Sequence, residues 1–146
     1  MMACCAFCFH VISLGPADWN TEFDLVTAAL WTDSENQSAW FYHQFLMTTL
    51  MEYVGQATIT PNFTQTDRIE YVTRQIQNVQ DMLDGAEDCK WIYNALLEST
   101  MALWQMEERF PEEDEKNDCK AWLAELRKLD PLRSGRWDEV EKSFRF

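Results

Sequence analysis

From Thr21 onward, apolar residues recur at intervals of three and four in every stretch long enough to show a period, and polar or Pro-containing turns interrupt them. That spacing places the apolar side chains on one face of a helix and is incompatible with the two-residue alternation of a half-buried strand. Phe23, Leu25, Val26, Ala29 and Leu30 predict a first helix, capped by Asn20 or Thr21 and ending near Thr32. Residues 33–37 are polar turn material, and Ser38 is expected to cap a second helix through Trp40, Phe41, Phe45, Leu46, Leu50 and Met51, stopped by Gly55. Residues 55–65 read as a loop. Ile69, Val72, Ile76, Val79 and Leu83 predict the apolar stripe of a third helix with Gly85 as C-cap. A fourth helix is expected from Asp88 to about Glu108, a fifth over about Glu112 to Leu129, and a last from about Ser134 to Phe144. Glycine and proline together number 8 of 146 residues, too few for the turns of a many-stranded sandwich or barrel. The fold expected is all-α, built of stacked antiparallel helix pairs in an α-α superhelix or solenoid.

Trp40, Trp91 and Trp137 each follow a polar or Pro-containing turn and open a helix, at separations of 51 and 46 residues. An aromatic recurring at that position suits a helical repeat, in which each hairpin buries part of its surface against the next.

Net charge is −13, and the first basic residue is Arg68. A surface so acidic repels polyanions, so nucleic acid and anionic lipid are poor partners. The apolar run Met1 to Leu14 lacks a basic n-region and is too short to span a bilayer, so a cytoplasmic chain without a membrane span is expected. Five cysteines, three of them at 4, 5 and 8, make no disulfide framework. Cys5, Cys8 and His10 offer three zinc-type donors, but no second pair closes a four-ligand site, and they are read as part of an apolar leader.

Catalytic patterns are scarce: no G-x-S-x-G, no Gly-rich phosphate loop and no H-E-x-x-H occurs. The acidic run Glu112 to Glu115 complements a helix dipole. His43, on an aromatic-rich helix, reads as a packing histidine. By these residues alone, the chain is a helical-repeat module whose business is binding another protein.

Three segments add a resemblance. Residues 32–43, Thr-Asp-Ser-Glu-Asn-Gln-Ser-Ala-Trp-Phe-Tyr-His, resemble the N-x-S-A-W-x-Y-H-R repeat of the protein prenyltransferase α-subunit family. Residues 87–91, Glu-Asp-Cys-Lys-Trp, look like its next repeat, and 129–137, Leu-Asp-Pro-Leu-Arg-Ser-Gly-Arg-Trp, like its closing L-D-P-x-R-x-x-x-[WY] element. The pattern is most similar to the Rab geranylgeranyltransferase branch in its compact fungal form. The resemblance covers residues 21–146 as the C-terminal part of the family domain, and leaves 1–20 as an unmatched apolar leader.

The resemblance implies a non-catalytic α subunit that scaffolds a β subunit. The β subunit would hold zinc and geranylgeranyl diphosphate, and no cofactor is expected on this chain. The assembly would transfer geranylgeranyl to C-terminal cysteines of Rab GTPases presented by an escort protein. In related farnesyltransferases α repeats lend a Lys and a Tyr to the diphosphate region; the positions matching them on the Trp hold Glu35 and Gln37, so no catalytic residue is carried over. Trp40, Tyr42, His43, Trp91, Asp130, Arg133 and Trp137 are expected to serve repeat and subunit packing. Gln44 departs from the family Arg, which replaces a charge-assisted link with a neutral one. A non-enzymatic helical-repeat adaptor and a farnesyltransferase α subunit are the competing readings.

Overall fold

A computed structural model describes residues 16–51 and 63–143. Among these residues the chain forms α1 (Pro16–Thr32), α2 (Gln37–Met51), α3 (Gln65–Asp81), α4 (Lys90–Met106), α5 (Glu113–Leu129) and α6 (Ser134–Ser143), with 3-10 turns at Met82–Gly85 and Pro131–Arg133 and no strand. The all-α expectation and the order of helices hold. Two compact units divide the chain, Met1–Val72 and Thr73–Phe146, so α3 gives residues 65–72 to the first and 73–81 to the second.

The first unit is a helical hairpin of α1 and α2 joined by residues 33–36. Its turn is built from local hydrogen bonds: the Glu35 N–H donates to Asp33 Oδ1 (3.1 Å), and the Ala39 N–H donates to Asn36 Oδ1 (3.2 Å). Asn36, not the expected Ser38, therefore caps α2, because its side chain reaches the orphan N–H three residues on. α1 also begins earlier than expected, at Pro16, where a missing N–H costs nothing. Phe23, Val26 and Leu30 of α1 and Trp40, Leu46, Met47 and Leu50 of α2 are buried. The expected stop at Gly55, most of the 55–65 loop and the Cys5–Cys8–His10 cluster lie outside the described residues.

α3 starts with a reciprocal cap that the sequence reading missed. Thr64 Oγ1 accepts the Asp67 N–H and Asp67 Oδ2 accepts the Thr64 N–H, both at 3.1 Å. Its buried stripe is Arg68, Val72, Gln75, Val79 and Met82, whereas Ile69, Ile76 and Leu83 are only half-buried. The inward face is thus turned by about one residue from the expected apolar stripe and carries a cation and an amide. Gly85 ends the 3-10 turn without left-handed backbone, so it is not the C-cap its residue type suggested.

The second unit is the hairpin of α4 and α5, with α6 packed on α5. Its core joins Tyr93, Leu97 and Trp104 of α4 to Cys119, Leu123 and Leu126 of α5 and Trp137 of α6. Two devices set the α4–α5 turn. Glu108 is left-handed (φ 52°), and with it the Arg109 N–H reaches Trp104 O (3.1 Å) and the Glu108 N–H reaches Gln105 O (3.2 Å), a Schellman end to α4. Glu112 and Glu115 then form a capping box at the start of α5.

Candidate functional site

The seven residues singled out from sequence fall into two groups, one in each unit. Trp40, Tyr42 and His43 occupy the first turns of α2. Trp40 is buried, and its indole N–H donates to Ser34 O (2.7 Å), closing the turn that precedes its own helix. The His43 ring is buried edge-on between Trp40 (centroids 5.6 Å, 74°) and Phe23 (5.9 Å, 77°). Tyr42 is half-buried and donates its hydroxyl to Glu22 Oε2 of α1 (2.6 Å), stitching the hairpin across its two helices. Gln44, where the repeat pattern has Arg, is exposed. The buried guanidinium of this unit is instead Arg68, whose Nη1 donates to Thr49 O (3.0 Å) and Leu50 O (3.3 Å), carbonyls of the last turn of α2. A cation there satisfies orphan acceptors and complements the negative end of the helix dipole.

In the second unit Trp91, Asp130, Arg133 and Trp137 converge. Together with Lys90, Asn94 and Leu126 they line a shallow surface cleft. Trp137 is 2% exposed and donates its indole N–H to Asp130 O (3.0 Å). Asp130 in turn holds Arg133 through Oδ2 to Nε at 3.4 Å, across the 3-10 turn that Pro131 opens. Trp137 thus repeats the action of Trp40: each locks the turn from which its helix grows.

Trp91 does not. It is half-buried, with the Lys90 ammonium 5.3 Å from its ring centroid. The turn before α4 is closed by Tyr93 instead, whose hydroxyl donates to Glu87 O (2.6 Å). Burial, and then the nearby carboxylates of Glu125, Glu87 and Asp88, raise the Tyr93 phenol above its ordinary value, so it remains a donor. The equivalence of the three tryptophans holds in position and fails in burial and bonding. A Trp-x-Tyr pattern, Trp40–Tyr42 and Trp91–Tyr93, was the signal that could have exposed Tyr93.

Sequence reasoning also missed Glu115, read only as part of an acidic helix start. Its carboxylate accepts the Trp104 indole N–H (2.5 Å), Arg109 Nη1 (2.8 Å) and Nη2 (3.1 Å), and the Glu112 N–H (3.4 Å). The Arg109 hydrogen bonds, aided by Trp104 and Glu112, hold its carboxyl below the usual range against an opposing desolvation cost. Cys89 and Cys119 are buried free thiols, and burial pushes Cys119 up to about 12, so it stays protonated and unreactive. Among the described residues no group of three or more His, Cys, Asp or Glu is placed to hold a metal ion, and no helix is long and apolar enough to cross a membrane.

The site is therefore one of turn-locking aromatics and a small cleft on helical hairpins, the class of an all-α helical-repeat protein. Two curated proteins are similar to it in sequence. The chain is 26% identical over 127 residues to the geranylgeranyl transferase type-2 subunit alpha of Schizosaccharomyces pombe, covering 83% of this chain and 35% of that protein. It is 32% identical over 77 residues to the subunit of the same name from Dictyostelium discoideum, covering 52% of this chain and 22% of that one. The chain is thus similar to part of two geranylgeranyl transferase type-2 alpha subunits, and it spans about a third or less of the length of these relatives. No family model and no solved structure matches it.

Proposed function

We propose that this chain is an α-subunit segment of a Rab geranylgeranyltransferase, a helical scaffold for a β subunit that carries the zinc, the geranylgeranyl diphosphate and the chemistry. In this reading the holoenzyme transfers the isoprenoid to C-terminal cysteines of a Rab GTPase delivered by an escort protein, in the cytoplasm. The observation that carries it is the alignment with two proteins named as such α subunits, one of them over most of this chain. Two features of the site agree with a scaffolding role. Two tryptophans of the shared motif spend their indole N–H on their own turns, Trp40 on Ser34 O and Trp137 on Asp130 O. By register on the Trp, Glu35 and Gln37 also hold the positions where related farnesyltransferases lend a Lys and a Tyr, so in this reading the segment supplies no group to the diphosphate.

Co-expression of residues 1–146 with the β subunit of the same organism, followed by size-exclusion chromatography, tests the proposal. A stable one-to-one complex is the expected result and would justify a Rab prenylation assay. A soluble chain that elutes alone while β folds normally would shift the reading to a helical-repeat adaptor that has left the transferase. The names of the relatives favour the type-2 enzyme over a farnesyltransferase.

A further inference from the structure

The two units carry their charge differently. Between Pro16 and Met51 the sequence holds five carboxylates, Asp18, Glu22, Asp24, Asp33 and Glu35, and no lysine or arginine. Glu22, Asp24, Asp33 and Glu35 enter no ion pair among the described residues. The second unit compensates many of its acids internally, with Arg109 on Glu115 (2.8 Å), Arg127 on Asp138 (2.7 Å) and Glu141 (2.9 Å), and Arg136 on Glu98 (2.8 Å). Arg68, the first unit's buried cation, turns its Nη1 to the carbonyls of Thr49 and Leu50. The α1–α2 hairpin is left with an uncompensated negative field.

The same hairpin exposes apolar side chains next to these acids. Phe41 (55% exposed) and Phe45 (38%) lie one turn apart on α2, and Leu25 (63%) lies one turn beyond Glu22 on α1. Contacts join the two rows: Phe45 stacks on Tyr42 (centroids 6.3 Å, 17°), and Tyr42 donates its hydroxyl to Glu22 Oε2. Aliphatic, aromatic and carboxylate groups are therefore neighbours across both helices. Aromatic rings beside a carboxylate attract a cation through the ring face and through the charge, and exposed apolar side chains gain by meeting apolar surface. A wholly apolar partner would desolvate the acids without pairing them, and a second copy of the hairpin would add five more of them.

We propose that the face of Leu25, Glu22, Tyr42, Phe45 and Phe41 docks a basic amphipathic helix supplied by a partner protein. Its apolar side chains pack on Leu25, Phe41 and Phe45, and its arginines or lysines pair with Glu22 and lie over the neighbouring rings. The inference rests on the hairpin's own charge and contacts and does not depend on the transferase reading.

The test uses the full chain and a fluorescein-labelled peptide of about twelve residues, with leucines at helical spacing and arginine or lysine elsewhere, followed by fluorescence anisotropy. Saturable binding is expected, weakened about tenfold by the double variant Phe41→Ser, Phe45→Ser and about threefold by Glu22→Gln, and falling with added salt. Glu22→Gln keeps an acceptor for the Tyr42 hydroxyl, and unchanged thermal melts verify the fold of each variant. Glu139→Gln removes the same charge from an exposed position of the second unit and should leave affinity unchanged. Equal affinity in wild type, the double variant and Glu22→Gln overturns the proposal. Equal binding of a scrambled peptide of the same composition, or equal losses at Glu22 and Glu139, does so too, by reducing the association to general attraction between opposite net charges. A chain that dimerises and excludes the peptide would assign the face to a second copy and also overturn it.

Discussion

Glu108 adopts a backbone conformation that glycine tolerates and most L-residues resist, because its Cβ crowds the neighbouring carbonyl. Glu108→Gly removes that crowding while keeping both bonds of the Schellman end. The substitution is expected to stabilise the protein by about 0.5–1 kcal/mol, read as a shifted urea midpoint at constant slope. Glu115 works in the opposite sense. Its folded carboxyl is held low, chiefly by Arg109, so the stability it contributes is complete above the ordinary carboxylate value and is lost as pH falls through the depressed one. Glu115→Gln weakens the paired Arg109 and Trp104 bonds at neutral pH, with an expected loss of about 1–2 kcal/mol. Stability measured from pH 7 down through the carboxylate range then falls more steeply in wild type than in the variant; parallel curves would remove Glu115 from this role. Arg68 is fully buried, and Arg68→Ala leaves the carbonyls of Thr49 and Leu50 without its Nη1, at a cost of about 2–3 kcal/mol in denaturant unfolding.

At the scale of the element, the three helix-opening tryptophans separate by what their indole rings do. Trp40→Phe and Trp137→Phe each keep most of the aromatic volume and lose a hydrogen bond to a turn carbonyl, Ser34 O or Asp130 O. Each is expected to cost about 1–2 kcal/mol, the sum of the missing bond and a small void. Trp91→Phe, at a half-buried position whose turn is closed by Tyr93, should cost less than about 1 kcal/mol, and Tyr93→Phe should cost more than Trp91→Phe. Thermal melts of the four variants would show this order, and equal losses at Trp40, Trp91 and Trp137 would contradict it. The starts of α2, α3 and α5 rest on Asn36, Thr64–Asp67 and Glu112–Glu115, which act on backbone groups within three residues; only the acidic start of α5 was read from the sequence. Choosing Ser38 over Asn36 was an error between two competent caps, settled by which side chain met the free N–H.

For the whole molecule, exposed apolar surface accompanies a large net charge. Phe41 and Phe45 lie one turn apart on α2 and are exposed, as are Leu25 and Trp31 of α1. Exposed apolar surface of this kind marks a place of association or a route to aggregation, while a charge of −13 opposes self-association. The double variant Phe41→Ser, Phe45→Ser is expected to bind less of the dye ANS and to scatter less light at high ionic strength. Its unfolding free energy should change by no more than about 1 kcal/mol, as for other exposed sites. Undiminished dye binding would place the accessible apolar surface elsewhere. Of the three ordered segments that carry the family resemblance, two close their turns with the same indole-to-carbonyl bond, which gives the motif a physical reason and not only a pattern.

The sequence by itself determined that the chain is helical, how its described helices are ordered, where most turns fall and which family it resembles. These follow from side-chain spacing and capping groups, whose effects reach only three or four residues. Only the tertiary structure decided that Arg68 and Gln75 lie on the buried face of α3, that Tyr93 does for its turn what Trp91 does not, and that Glu115 gathers Trp104 and Arg109. It also brought Lys90, Asp130 and Arg133 to one cleft. Each of these depends on a carbonyl, a carboxylate or a ring supplied by a distant part of the chain, and local spacing carries no record of which distant group will arrive.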